Sequence, residues 1–276
     1  MELTVIGCAG SFPNAGSPAS CYLLEHEGYR IVLDIGSGAF GGLQAALESR
    51  QVAGAPNGAV LARSRVALAA PPAAPDLVDS VSAILLSHLH ADHCMDLTGW
   101  YVHRRYRLGG QPDGLLPVYG PPGAAARMAR AYDLPLEPGM GEVFEFVDFP
   151  TSFDVGPFHI TVAQVNHPVP AFGFRITAGS RTLAYTGDSG WCPALVELAE
   201  SADLLLAEAS FLGDNNPADL HLTAAQAGEL ADLAGADRLL LTHLVSWNAV
   251  EKSLAEASSR FSGPVSAAHA GLVVVV

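Results

Sequence analysis

Short apolar runs that break off at a polar residue recur along the whole chain, and they set the expected architecture. Residues 2–7 (ELTVIG), 20–25 (SCYLLE) and 29–34 (YRIVLD) read as strands, joined by the Gly/Pro/Ser/Asn-rich stretch 9–18 and a turn at Glu27-Gly28. A glycine-rich turn after Asp34 leads into a helix over 39–49. The apolar residues from Val81 to Leu86 form another strand, and MDLTGWYVHRRYRL beyond it is a helix with Leu97, Tyr101 and Tyr106 turned inward. A short strand (LLPVYG), a helix from Pro122 and a strand over 142–148 follow. The second half repeats the scheme, with strands at 157–166, 172–177 and 181–186, a helix at 193–201 and a strand at 203–208. A helix at 223–234, a strand at 238–242, a helix at 247–260 and a last strand over 264–276 complete it. Strands alternating with helices predict an α/β fold whose ligand site lies where strands end.

Residues 51–78 break the pattern: they are rich in Ala and Pro and have no period, as expected of an insertion on one edge. A cap over the site, an oligomer contact and a loose loop all fit. With 276 residues, half of them hydrophobic, the chain suits one large domain spanning 1–276. MELTVIG enters a strand at once, and no apolar run approaches a membrane span, so a cytoplasmic protein without membrane partners is expected. Cys8, Cys21, Cys94 and Cys192 lack disulfide-like spacing, which fits a reducing compartment; Cys94 reads as a small buried residue rather than a ligand.

Charge narrows the substrate. The net charge is −14 and Lys252 is the single lysine, whereas binding to a phosphate backbone relies on Lys and Arg, so long nucleic acids are disfavoured. Arg104, Arg105 and Arg107 form one basic cluster, open to two readings: a solvated helix face or a phosphate grip.

The chemistry concentrates in residues 84–96, ILLSHLHADHCMD. Alternate residues of an extended chain share a face, so His88 and His90 can grip one ion, while Asp92 and His93, one turn on, face a second. His167, Asp188 and His243 each end an apolar strand, as His88 does, and complete a seven-ligand set. Paired divalent ions need N/O donors on both sides and a bridging carboxylate. This assigns His88, His90 and His167 to one ion, Asp92, His93 and His243 to the other, and Asp188 to the bridge, with a metal-activated water as nucleophile. Asp34, closing the third strand, is either a brace for the metal loop or a surface cap.

SHLHADH, the His of VNHP, the Asp of YTGDSG and the His of LLLTH, with Asp34 ahead of them, resemble the metallo-β-lactamase fold superfamily in order and spacing. The resemblance implies a four-layer αβ/βα sandwich with a dinuclear site, usually zinc, at its edge; manganese is the alternative metal. Asp188 stands where lactamases that use a Cys ligand carry it, and His93 matches the phosphodiesterase, glyoxalase II and lactonase branches, which argues against antibiotic hydrolysis. LLLAEAS and LHLTAAQAG look like motifs of ribonuclease Z and its phosphodiesterase relatives. By that likeness His221, braced by Glu208, donates a proton to the leaving oxygen; a strand-end surface acid and a helix-entry histidine are the plainer readings. The helix after Thr223 would aim N–H groups and a hydroxyl at a phosphate. Ribonuclease Z carries a long tRNA-binding arm between the motifs matched by His167 and Asp188, and here only 21 positions separate them.

LTVIGCAGS, SPASCYLL, SHLHADHCMDL, FGFRI and YTGDSG are further similar to short, atypical class II-like cyclic-nucleotide phosphodiesterases of actinobacterial type. That likeness implies hydrolysis of a small phosphodiester, 3′,5′-cAMP first, and a homodimer. Phe172 and Phe174 beside His167 offer a stacking face for a base, although a half-buried strand explains them equally. Two alternatives stay open: another hydrolysis at the same site (2′,3′-cyclic nucleotide, RNA 3′ end, lactone, thioester or aryl sulfate), and an iron-dependent oxidoreductase.

Overall fold

The computed structural model describes residues 1–53, 77–213, 216–217 and 219–276. Strands β1 (Glu2–Gly7), β2 (Cys21–His26), β3 (Tyr29–Leu33), β4 (Ala83–Leu85), β5 (Leu116–Gly120) and β6 (Phe144–Asp148) belong to one sheet. Strands β7 (Ser152–Val155), β8 (Phe158–Val165), β9 (Ala171–Ala178), β10 (Arg181–Tyr185), β11 (Leu204–Glu208), β12 (Leu239–Thr242) and β13 (Val265–Ala267) form the second. The last strand, β14 (Val273–Val275), returns to the first. The orders are β14-β1-β2-β3-β4-β5-β6 and β13-β12-β11-β10-β9-β8-β7.

Alternation along the strands explains the layers. In β2, Tyr22 and Leu24 point toward the second sheet, while Cys21 and Leu23 point the other way, toward helices. In β11, Leu204 and Leu206 face the first sheet, and Leu205 and Ala207 face a second set of helices. Because both faces are covered, these strands read as unbroken apolar runs. Helices α1 (Ala39–Ala53), α3 (Leu97–Tyr106) and α4 (Ala124–Ala131) cover the first sheet through Leu43, Trp100 and Met128; α2 (Ala91–Cys94) is a single turn. Helices α5 (Pro193–Ala199), α6 (Ala224–Ala234) and α7 (Val250–Ser258) cover the second through Leu195, Leu230 and Ala257. The result is the four-layer αβ/βα sandwich expected. Between the sheets, Phe158, Phe174 and Leu206 meet Leu3, Leu24 and Leu33, each fully buried and each contributing roughly 1.5–3 kcal/mol.

Strand direction positions the site. Strands β3 and β4 are parallel, as are β10, β11 and β12, and β8 runs with β10 because β9 is antiparallel to both. Their C-terminal ends therefore share one rim, which the N–H of Phe172 ties across the sheets by donating to the Ser87 carbonyl at 2.9 Å.

Several local expectations are corrected. The expected final strand divides: β13 stays in the second sheet, the chain turns at Gly271 (φ 85°), and β14 pairs with β1. The hairpin of β7 with β8 was not expected, because its pattern is short and half-exposed. Tyr106 does not face inward but is 62% exposed at the end of α3, where Trp100 and Arg104 join Leu97 and Tyr101 on the buried side. The basic cluster is neither a bare solvated face nor a phosphate grip: Arg104 and Arg107 pair with Asp79, and Arg105 with Glu142. Most of the expected insertion, 54–76, lies outside the described residues; its first residues end α1, and Leu77 and Val78 start a 3-10 turn, Leu77–Ser80. No described helix is long and apolar enough to cross a membrane.

Candidate metal centre

The loop after β4 carries four of the expected donors. His88 lies past the strand end, His90 is the extended residue that opens α2, and Asp92 and His93 sit on that turn. Asp34 brings the β3 end against this loop. The approach is so close that a Cβ on Gly36 would lie 1.9 Å from the Asp92 carbonyl, which only glycine permits.

The seven expected donors fall into two groups, and Glu208, His221 and His243 make a third cluster of donor atoms that shares His243 with the second. In the first, Nδ1 of His90 is 3.0 Å from Nε2 of His88 and 3.2 Å from Nε2 of His167. In the second, Asp92, His93, Asp188 and His243 converge, each group having its ligand atoms within 4.8 Å of one another. Here His243 Nε2 is 3.1 Å from Asp92 Oδ2 and 3.4 Å from Asp188 Oδ2, and His93 Nε2 is 3.2 Å from Asp188 Oδ1. Asp188 also reaches the first group, 3.7 Å from His88 Nε2. All seven expected ligands are thus brought together, with Asp188 between the two groups.

The hydrogen bonds behind the histidines fix which nitrogen faces inward. The Ser210 hydroxyl has one hydrogen and donates it to the His243 carbonyl at 2.9 Å, so it must accept from His243 Nδ1 at 2.7 Å. Ser87 likewise donates to Asp34 at 2.8 Å and accepts from His88 Nδ1 at 3.1 Å. Nδ1 of His93 donates to Asp34 at 2.8 Å, and Nδ1 of His167 to the Leu220 carbonyl at 2.8 Å. Four imidazoles therefore turn an Nε2 lone pair toward the centre, the arrangement that outer hydrogen bonds give to metal-binding histidines.

Divalent cations fit these groups. Nε2 of His93 is buried and has carboxylates for neighbours, Asp188 at 3.2 Å and Asp92 at 3.6 Å, but no aligned hydrogen bond. Burial, reinforced for His88 by the neighbouring His93, holds His88, His90 and His167 below the usual imidazole range, as neutral lone-pair donors. Burial works against charge on Asp188 as well, but His243 and His93 outweigh it and hold the carboxyl well below its ordinary value. Burial of His93 is in turn outweighed by Asp188 and Asp34, which raise it. The second group, with two carboxylates, demands positive charge.

Beside the two groups stands an acid-base pair. Glu208, fully buried at the end of β11, accepts from the Ser189 N–H and from His221 Nδ1, both at 2.8 Å. Burial disfavours charge on His221, but Glu208, with Asp188 behind it, overrides this and raises the imidazole to about 9. Nδ1 of His221 is 4.0 Å from Asp188. The ring also lines a cavity of about 640 Å³ between α6 and α7.

Not every expected role holds. The Thr223 hydroxyl accepts from the Gln226 N–H at 3.1 Å, and the Thr223 N–H donates to the Gln226 side chain at 2.9 Å, forming a capping box. The Ala224 N–H is taken by the Phe211 carbonyl, so these groups serve α6 rather than a phosphate. Phe174 is fully buried between the sheets against Phe149 and Tyr185, and cannot stack on a base; Phe172 packs on Phe149. Cys94 is buried, its thiol pushed up to about 12, and it donates to the His90 carbonyl, as a packing residue would. Asp34 proves to be a brace, accepting from Ser87, His93 and the Tyr185 hydroxyl at 2.7–2.8 Å. Ser87, Tyr185 and Ser210 were missed as supports although each lies within or beside a motif, because nothing in a sequence separates a bracing hydroxyl from a packing one.

Comparison with known proteins accords with this geometry. A family model described as the beta-lactamase superfamily domain matches residues 53–244. An uncharacterised protein of Mycobacterium tuberculosis is 38% identical over 97% of this chain and 89% of its own length. The probable metallo-hydrolase YhfI of Bacillus subtilis is 31% identical over 99% of both chains. The crystal structure of YhfI, a metallo-beta-lactamase fold protein, superposes with a TM-score of 0.79 at 29% identity, covering 99% of this chain and 98% of that one. A ribonuclease Z of Nocardia farcinica is 28% identical over 96% of this chain and 94% of its own. The chain belongs to the β-lactamase superfamily and is a metal-dependent hydrolase of the metallo-β-lactamase fold, related to ribonuclease Z.

Proposed function

We propose that this hydrolase is a two-metal phosphodiesterase that converts 3′,5′-cyclic AMP to 5′-AMP. One observation carries the reading: a pair made of the buried Glu208 carboxylate and the half-buried His221 imidazole stands 4.0 Å from the carboxylate shared by both donor groups. A thiolate leaves without help, whereas a sugar alkoxide needs a proton as its bond to phosphorus breaks. The pair therefore favours an alcohol leaving group. Size and charge favour a small substrate: only the β9–β10 hairpin lies between His167 and Asp188, and the net charge is −14.

When bound, two divalent ions, zinc or manganese, supply Lewis acidity toward the phosphate oxygens and a water acidic enough to attack near neutral pH. The seven candidate ligands would hold them, with Asp34, Ser87 and Ser210 fixing the imidazoles. Asp92, kept well below the carboxylate range by His243 and His93 against the effect of burial, orients the attacking water by accepting its hydrogen bond. As the water oxygen bonds to phosphorus, the P–O3′ bond breaks and His221 gives its proton to O3′. Glu208 stabilises the imidazolium, and the proton lost by the water passes to solvent. Water and cyclic nucleotide thus become the 5′-monophosphate.

The test is product analysis of zinc- or manganese-loaded protein incubated separately with 3′,5′-cAMP, 2′,3′-cAMP and a lactone. The reading predicts 5′-AMP from the first and none from an Asp92→Ala variant; turnover confined to either of the others would replace it.

A further inference from the structure

We infer that Trp191 is the platform on which the nucleobase stacks, in the cavity that His221 opens onto. The inference rests on the cyclic-nucleotide reading and adds where the nucleoside lies. His221 must face the leaving oxygen, and in a 3′,5′-cyclic nucleotide that oxygen belongs to the ribose. Ribose and base therefore lie on the His221 side of the phosphate. The space there is the cavity of about 640 Å³ lined by both His221 and Trp191, a size that suits a nucleoside.

The backbone holds Trp191 still. It follows Asp188 by three residues, on a segment pinned where the Ser189 N–H meets Glu208 at 2.8 Å and the Gly190 N–H meets the Asn166 carbonyl at 2.7 Å. A Cβ on Gly190 would lie 2.6 Å from the Asp219 Cα, so this loop has no room to shift. The indole is half-buried against the cluster that includes Leu195 and Leu198, and the same side chain lines the cavity. A fixed aromatic ring beside the phosphate site suits any flat heterocycle, because every base has a π-face.

Charge selects what enters. Among the described residues, the cavity is also lined by Asp219, Glu229 and Glu256, three acids against Arg260 and the protonated His221. A second phosphate would meet that acidic lining, whereas an uncharged nucleoside would not. The carboxylates can accept hydrogen bonds from an exocyclic amine such as that of adenine. The cavity thus fits a mononucleotide with one phosphate, and not the next link of an oligonucleotide.

Fluorescence and kinetics together test this. The chain has three tryptophans, of which Trp100 is buried under the first sheet and Trp247 is 70% exposed beside Phe12. Titrating 5′-AMP into metal-loaded protein should quench emission in the wild type and in Trp247→Phe, and not in Trp191→Phe. Trp191→Leu, which keeps an apolar side chain against that cluster, should raise KM for 3′,5′-cAMP about tenfold or more while kcat stays within about threefold. Quenching that survives in Trp191→Phe, or an unchanged KM in Trp191→Leu, overturns the platform and leaves the phosphodiesterase standing. Wild-type protein that leaves cAMP intact but cleaves another ester overturns the substrate reading, and the platform with it.

Discussion

The two donor groups differ in charge and in burial. His88, His90 and His167 offer three imidazoles and no carboxylate of their own, and His90 and His167 are partly open to solvent. Asp92, His93, Asp188 and His243 place two anions among buried imidazoles, with Ser210 and Asp34 behind them. A cation in the second group is matched by charge, whereas one in the first draws on Asp188 at the 3.7 Å contact to His88. Attraction between opposite charges strengthens as water is excluded. The buried, anionic group should therefore hold its ion the more tightly, and the open group should be the one that exchanges.

The largest effect that could break this comparison comes from the carboxylate both groups share. Asp188→Asn should abolish turnover and lower the content of both ions, as read by elemental analysis of dialysed protein; loss of a single ion would show that Asp188 serves one group alone. His221→Ala should leave both ions in place and reduce kcat by about 10²–10⁴-fold, since the acid belongs to neither group. Wild-type kcat in that variant removes His221 from the chemistry. Ser210→Ala, which frees the His243 ring, should weaken the tighter ion by roughly 10–100-fold, and a competition titration against a chelator would register it. An unchanged affinity would make the buried serine a packing residue.

The smallest effect is in the pH profile. His221 must carry its proton to act as the acid, and Glu208 lifts it to about 9 against the effect of burial. With metal bound, kcat should fall as pH rises, at a limb below about 9 because bound cations oppose the field of Asp188, and Glu208→Gln should move that limb to still lower pH, because the group outweighing burial is gone. A limb that stays in place would assign it to some other group.

How much of this was legible in the sequence depends on whether a residue acts alone or through a partner. The ligand set could be read because each member is a metal-type side chain ending an apolar run, and the β4–α2 spacing states the geometry outright. Asp34 was readable as a strand-end acid, but its four donors were not, since Tyr185 lies 151 residues away. Thr223 shows the converse: a hydroxyl opening a helix suggests a phosphate contact, and Gln226 three residues on marks it instead as a capping box. Phe172 and Phe174 stayed open to two readings because alternation cannot say which face of a strand meets another sheet; the strand reading holds for Phe174, which packs between the sheets. The divided C-terminal strand was beyond reach for a similar reason, for the apolar runs are alike and only the turn at Gly271 sends β14 to the opposite sheet.

Stepwise loading is the most direct test of the account as a whole. Metal-free protein would receive zinc in fractions of an equivalent, with 5′-AMP formation from 3′,5′-cAMP measured at each step. The account predicts almost no product until the tighter group is filled, then a rise that completes at two equivalents. Full activity at one equivalent, or cAMP untouched at two, would contradict it.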